Sequence, residues 1–249
     1  DYRLRQVLTY PAVFLSTEPT AAPALYSLMS HTDLVEGVRY PQGGFAAVVE
    51  AIARQAAGAT FLLGTAVTAI ECAEGRATGV LLAGGTRLTA DAVVSAADLH
   101  HTETALLPAW ARTYPERYFA RRDPGIGTVL VFLGVRGALP ELQHHTLLFS
   151  KDWTPDFRAV FHGPEPARPL GASESIYVSK TSATDPTVAP EGCENLFILV
   201  PVPAEERFGH GDAYGAVASP RVSEIAAAAV VQLADWAGIT DLQDRIVVQ

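Results

Sequence analysis

Residues 40–83 read YPQGGFAAVVEAIARQAAGATFLLGTAVTAIECAEGRATGVLLA. Phe45, Val48, Val49, Ile52 and Ala56 recur at helical spacing, and Gly58 supplies a stop, so the spacing predicts a helix entered through Gly43-Gly44. A Gly-Gly step at that place has two readings. The unpaired N–H groups of a first helical turn can cradle an anion, or the pair can be a tight turn with nothing bound. Beyond the helix, "TFLL" (60–63) reads as a short strand. "TAVTAIECA" (65–73) and "RATGVLLA" (76–83) then meet through Glu74-Gly75, and "TRLTADAVVSAA" (86–97) follows Gly84-Gly85. Helix, strand and β-meander in immediate succession predict an α+β (mixed α/β) chain.

On the N-terminal side, residues 1–35 read as helical pieces interrupted by Pro11 and ended by Gly37. On the other side, "LHHTETALL" (99–107) reads as a helix. "GTVLVFLGV" (127–135), "HHTLLFS" (144–150), "SIYVSK" (175–180) and "NLFILVPVP" (195–203) read as strands. "PEPARPLGA" (164–172) is a Pro-rich loop, 220–237 an Ala-rich helix between Ser219-Pro220 and Gly238, and "DRIVVQ" (244–249) a last strand. Strands so apolar on both faces predict a sheet covered by helices on one side and by something apolar on the other. A hydrophobic substrate is one such cover.

The 249 residues are 49% hydrophobic and 18% charged, the composition of a globular chain. A net charge of −9 argues against a nucleic-acid partner. The charge-free apolar runs are shorter than the roughly 18 residues a spanning helix requires. Cys72 and Cys193 stand far apart, outside any C-x-x-C pair, so neither a disulfide framework nor a structural zinc site is expected.

Chemical motifs are sparse. G-x-G-x-x-G does not occur; Gly209, Gly211 and Gly215 have the wrong spacing and read as an exposed loop. Two histidine pairs, His100-His101 and His144-His145, suggest a metal, but adjacent side chains diverge, and the favoured reading is one packed and one surface histidine in each. No metal is expected. Asp98, Asp185, Glu191 and Glu194 are possible acids or bases without a spacing that pairs them, and Cys193 lacks a nearby base.

Taken together, the stretches 4–29, 40–70, 75–102, 142–150 and 175–203 resemble, in order and spacing, the bacterial-type phytoene desaturases, flavoenzymes of the wider amine-oxidase-like superfamily. The resemblance implies FAD and a long polyene substrate that is dehydrogenated in carotenoid biosynthesis. It implies that residues 38–108 are the middle portion of an FAD-binding domain, and that 1–37 and 109–249 form a substrate-binding domain with a mixed sheet flanked by helices. It places the backbone of Val67 at the adenine. Ser95, Ala96, Ala97 and Asp98 take the place of the family's Ser-Asn-Ala-Asp beside the cofactor, with alanine for asparagine at position 96. Gly43-Gly44 becomes a domain crossing whose helix turn approaches the flavin or substrate cavity.

The family's pyrophosphate loop and closing Gly-rich segment are not found in these residues, so the chain is expected to be an internal fragment, inactive and weak in FAD binding by itself. The residues proposed for acid/base roles do not carry over. A truncated relative that binds carotenoid or lipid without redox chemistry, and a related carotene isomerase, saturase or oxidase, stay open beside the desaturase. A polyene drawn from the bilayer implies a cytoplasmic enzyme peripheral to the membrane, with "ARTYPERYFARR" (111–122) as a possible interfacial helix.

Overall fold

The computed structural model describes residues 1–163 and 171–249, so most of the Pro-rich loop at 164–172 lies outside the described residues. Contacts divide the chain into two compact units, Asp1–Gln55 with Gly125–Gln249, and Ala56–Pro124.

The first unit opens with α1 (Tyr2–Thr9), capped by the Asp1 carboxylate accepting from the Arg3 N–H at 2.9 Å. Pro11 sits at the start of a tighter helical stretch, Tyr10–Leu15, where its missing N–H costs nothing. After α2 (Ser27–His31) the chain turns at Pro41–Gly44, where the Gly44 N–H meets the Pro41 carbonyl at 2.9 Å, and enters α3 (Gly44–Gln55). Gly43 and Gly44 have φ of 81° and 77°, a left-handed pair that side chains with a Cβ resist.

The second unit carries the meander, β1 (Val67–Ala73), β2 (Arg76–Leu82) and β3 (Arg87–Thr89), paired antiparallel in chain order. Glu74 and Gly75, both at positive φ, form the first hairpin turn. Two expectations are corrected here. Residues 60–63 form no strand: Phe61 and Leu63 are exposed, and among the described residues β1 pairs only with β2, leaving that stretch no ladder to join. The third strand is three residues long, and the chain from Ala92 to Ala97 is irregular and exposed apart from Val93. α4 (Leu99–His101) continues into a wider turn at Thr102–Leu106, and α5 (Glu116–Phe119) follows. The segment 111–122 is therefore broken rather than one helix.

A Cβ on Gly79 would lie 2.2 Å from the Leu88 carbonyl oxygen, so β2 and β3 pair only because this position is glycine. Gly79→Ala is expected to weaken the second unit by about 2 kcal/mol and to speed exchange of the Ala90 amide, bonded to the Thr78 carbonyl at 3.0 Å. Hydrogen exchange measured at Ala90 checks this; an unchanged rate counts against it.

The chain then returns to the first unit as β4 (Ile126–Arg136), β5 (His145–Leu148), α6 (Trp153–His162), β6 (Ile176–Ser179), β7 (Cys193–Pro203), α7 (Pro220–Ala237), α8 (Leu242–Arg245) and β8 (Ile246–Val248). The sheet order is β5-β6-β7-β4-β8. Where a mixed sheet is expected, all four ladders are antiparallel, the longest running from Ile126 opposite Pro203 to Arg136 opposite Cys193. Asp244 and Arg245 end a helix instead of starting the last strand. The Arg245 guanidinium caps the carbonyls of Arg136 and Ala138, each at 2.7 Å.

Period-two alternation decides what each face of this sheet does. Val129, Val131, Leu133 and Val135 of β4 join Leu196, Ile198 and Val200 of β7 beneath Ile225, Ala229 and Leu233 of α7 in one core. Each such side chain contributes about 1.5–3 kcal/mol on full burial. The alternate residues point the other way, and there Leu130, Phe132, Leu147 and Val248 remain exposed, Phe132 by 63%. One face is thus covered by helix; the other is apolar and open.

Candidate functional site

That open face is the floor of a groove of about 790 Å³, within the usual range for small-molecule sites. Register builds the floor: His145 lies opposite Ser179, Ser179 opposite Phe197, and Phe197 opposite Phe132, so side chains from four strands share one surface. Gly134 of β4 lies opposite Val248, and a Cβ there would be 3.4 Å from the valine Cβ, which keeps this end low. The turn at Gly43-Gly44 with Tyr40 and Phe45 forms part of the wall.

Six rings follow each other along the groove. Tyr40 and His144 are 4.9 Å apart between centroids, His144 and His145 4.3 Å, His145 and Tyr177 5.9 Å, Tyr177 and Phe197 6.2 Å, and Phe197 and Phe132 5.2 Å. These are the separations of offset and edge-to-face pairs. The row is polar at the Tyr40 end and purely hydrocarbon at Phe132.

Most of the polar lining is already paired. Asn195 accepts from the Thr181 hydroxyl at 2.8 Å and the Ser182 N–H at 3.0 Å. Glu194 accepts from the Ser182 hydroxyl and lies 3.8 Å from the buried Lys180 ammonium, which donates to the Leu139 carbonyl at 2.6 Å. His144 Nδ1 is 2.6 Å from the Thr184 hydroxyl, and its Nε2 is buried with no partner. His145 Nδ1 is 2.7 Å from the Tyr177 hydroxyl. Partial burial, and then the neighbouring His144, push the His145 pKa below its ordinary 6.5, so at neutral pH this imidazole is uncharged.

The wall at Gly43 is held by a buried carboxylate. Asp185 Oδ2 accepts from the Gly43 N–H at 2.6 Å. Its Oδ1 accepts from Gln42 Nε2 at 3.3 Å, the Thr187 N–H at 3.0 Å and the Thr187 hydroxyl at 2.6 Å. The Thr187 and Gly43 bonds lower the Asp185 pKa below the ordinary 3.8, outweighing desolvation. The anion that the free N–H groups of a Gly-Gly turn attract is, at Gly43, the protein's own side chain.

The other positions singled out in the sequence fall as follows. Val67 begins β1, and the preceding Ala66 carbonyl accepts from the Ala83 N–H at 2.9 Å. Ser95, Ala96 and Ala97 are exposed, with the Ser95 and Thr102 hydroxyls 2.8 Å apart, and Asp98 caps α4 by accepting from the His101 N–H at 2.9 Å. His100 pairs with Glu116 at 2.9 Å, and Glu103 accepts from the Thr113 N–H at 2.8 Å, so the two do not converge on an ion. Among the described residues no cluster of three or more His, Cys, Asp or Glu could hold a metal. Cys72 and Cys193 are free thiols.

Sequence reasoning singled out the histidines as possible metal ligands and missed their place in the ring row. It did not single out Tyr40, and it took Tyr177 only as one of the apolar strand residues. The signal available for Tyr177 was its alternation with Ile176 and Val178 in "SIYVSK".

Residues 3–245 match the flavin containing amine oxidoreductases, and the chain belongs to that family. Within it the similarity is to carotenoid desaturases. The chain is 36% identical to the carotenoid 3,4-desaturase of Haloarcula japonica over 98% of its own length and 47% of that protein. It is 35% identical to a zeta-carotene-forming phytoene desaturase of Myxococcus xanthus over 89% and 41%, and 34% identical to the neurosporene-forming phytoene desaturase of Cereibacter sphaeroides over 82% and 40%. The chain therefore spans about half the length, or less, of these relatives. A crystal structure of an oxidoreductase from Methanosarcina mazei matches 99% of the chain and 51% of its own, with a TM-score of 0.54 and 17% identity, which shows a shared fold.

Proposed function

We propose that this chain forms the polyene-binding part, and a portion of the FAD-binding part, of a carotenoid desaturase that dehydrogenates a long conjugated chain. The observation that carries this reading is the uncovered row of six rings in an apolar groove. A flat, extended, uncharged molecule stacks on such a row along its whole length, whereas a compact polar substrate would leave the hydrocarbon end unused. In this reading 1–37 and 109–249 serve the substrate and 38–108 the cofactor.

The chemistry of the donor set fits FAD. From Ala92 to Ala97 the backbone makes no hydrogen bond with other described residues and is open to a partner rich in nitrogen and oxygen. The backbone of Val67 and the residues Ser95, Ala96, Ala97 and Asp98 would hold the cofactor, and Gly43 and Gly44 line the mouth of the groove. FAD, when bound, supplies the acceptor for the hydrogen removed. The chain's own residues orient the polyene and keep water from it.

Because the polyene is a bilayer solute, we place the enzyme at a membrane surface. No helix among the described residues is long and apolar enough to cross a membrane.

A second reading, polyene binding without redox chemistry, is favoured by one observation: every residue of the groove belongs to the first unit. Gel filtration of the delipidated chain after incubation with lycopene or with FAD tests both. The expected result is near-stoichiometric polyene and only a trace of flavin. Failure to retain polyene would sink the proposal, and stoichiometric flavin would sink the second reading.

A further inference from the structure

The arginine- and tyrosine-rich segment 111–122 is no continuous helix, and its charged groups divide between two tasks. Arg112 is built into the second unit: its Nε donates to the Leu107 carbonyl at 3.1 Å and its Nη2 to the Thr104 carbonyl at 2.7 Å. Glu103 holds the next turn by accepting from the Thr113 and Tyr114 N–H groups, at 2.8 and 3.2 Å. Glu116 turns both oxygens to His100 Nε2, at 3.1 and 2.9 Å. Arg117, Arg121 and Arg122 are exposed, and among the described residues none of their guanidinium groups makes a hydrogen bond or an ion pair. Arg122 lies instead over the Tyr118 ring, 4.5 Å from its centroid. That ring is fixed in turn by Tyr114 and Phe119, at centroid distances of 4.7 and 5.4 Å. The three arginines, Tyr118 and Pro115 line one recess of about 410 Å³, and its lining includes neither Glu116 nor Asp123.

We propose that this recess binds a phosphate-bearing anion. Like charges gathered around one hollow repel each other, and a bound anion offsets that repulsion. The chain has 27 acidic residues against 18 basic ones, yet no carboxylate lines this recess. Three guanidinium forks direct about six N–H donors, more than the roughly four acceptor sites of a carboxylate, whereas a phosphate group has oxygens enough to be gripped from three sides. Arginine also keeps its charge at any working pH and matches phosphate oxygens two at a time. A lipid headgroup and a soluble phosphate ester present the same oxygens, so the class is assigned here and the experiment reads the source. The recess lies wholly in the second unit, and the inference does not rest on the groove being the polyene site.

The test uses two probes on the full chain at about 0.1 M salt, where attraction between exposed charges more than about 10 Å apart is screened. Inorganic pyrophosphate is titrated by calorimetry, and phosphatidylglycerol vesicles are compared with phosphatidylcholine vesicles by co-sedimentation. Arg121→Gln removes a guanidinium that holds nothing else in place, and it should weaken the bound probe about tenfold, the effect of one charge-assisted contact. Arg121→Lys keeps the charge without the fork and should recover only part of that loss. Arg5→Gln removes the same charge from α1 and should leave binding unchanged. A preference for phosphatidylglycerol that depends on Arg121 assigns a lipid headgroup. Pyrophosphate binding that depends on Arg121, without such a preference, assigns a soluble ester, and either result upholds the site. Binding of neither probe, or equal losses in Arg121→Gln and Arg5→Gln, would overturn it.

Discussion

On the reading proposed above, Asp185→Asn in the full-length protein is expected to lower polyene turnover about a hundredfold, mostly in kcat, while the first unit stays folded. The carboxylate divides its work between its two oxygens. Oδ1 takes three donors from Gln42 and Thr187, and Oδ2 takes only the Gly43 N–H. An asparagine that keeps its oxygen at the first position turns an amide N–H toward the Gly43 N–H, so two donors face each other and the turn is pushed off. The groove wall at Gly43 and Gly44 then moves while the rings on the strands do not. A displacement of order 1 Å in a wall that orients substrate is enough for a loss of this size. Turnover and bound FAD measured on the same samples separate lost positioning from lost cofactor, and wild-type turnover would refute the role.

The pH dependence follows from the same bonds. The folded pKa of Asp185 lies below the unfolded value near 3.8, so its contribution to stability is complete above that value and is lost as pH falls through the lower, folded pKa. From pH 5 upward the tie to Gly43 should be insensitive to pH.

The second large effect is on stability. Asp156→Ala should destabilise the first unit by about 3 kcal/mol, measured as a shift of the urea midpoint at constant slope. Asp156 of α6 is 2% exposed. Its oxygens accept from the hydroxyls of Ser150, Ser173 and Ser175 at 2.9, 3.0 and 2.7 Å, and from the Glu174 N–H at 2.7 Å. All three hydroxyls have second acceptors, Ser150 the Asp152 carbonyl, Ser173 the Ser175 carbonyl and Ser175 the Ser150 hydroxyl, but the Glu174 N–H has none. Truncation leaves this part-buried N–H unpaired. Asp156→Asn keeps an oxygen for Glu174, and the hydroxyls can rotate to accept from its amide, so it should cost less than half as much. Equal losses in the two variants would mean that volume, not hydrogen bonding, decides.

Much of the fold was legible. The alternation in 127–135 and 195–203 announced a sheet with two apolar faces, and the structure has the helix-covered face and the open face that this pattern implies. The Ala-rich stretch between Pro220 and Gly238 became the covering helix with those limits. The failures were local. "TFLL" has strand composition and no neighbour to pair with, and "DRIVVQ" gave up Asp244 and Arg245 to a helix, where the arginine donates to the carbonyls of Arg136, at the end of β4, and Ala138 just beyond it.

By itself, then, the sequence determined the class of the chain, its family and the existence of a sheet with one face to spare, because periodicity and turn chemistry act over a few residues at a time. The site was decided only by tertiary structure. Gly43 and Asp185 are 142 residues apart, and His145, Tyr177, Phe197 and Phe132 share one surface only once strand register places them there. No local pattern encodes which alternate residues of separate strands will meet, since a one-residue slip in any ladder would send its rings to the opposite face.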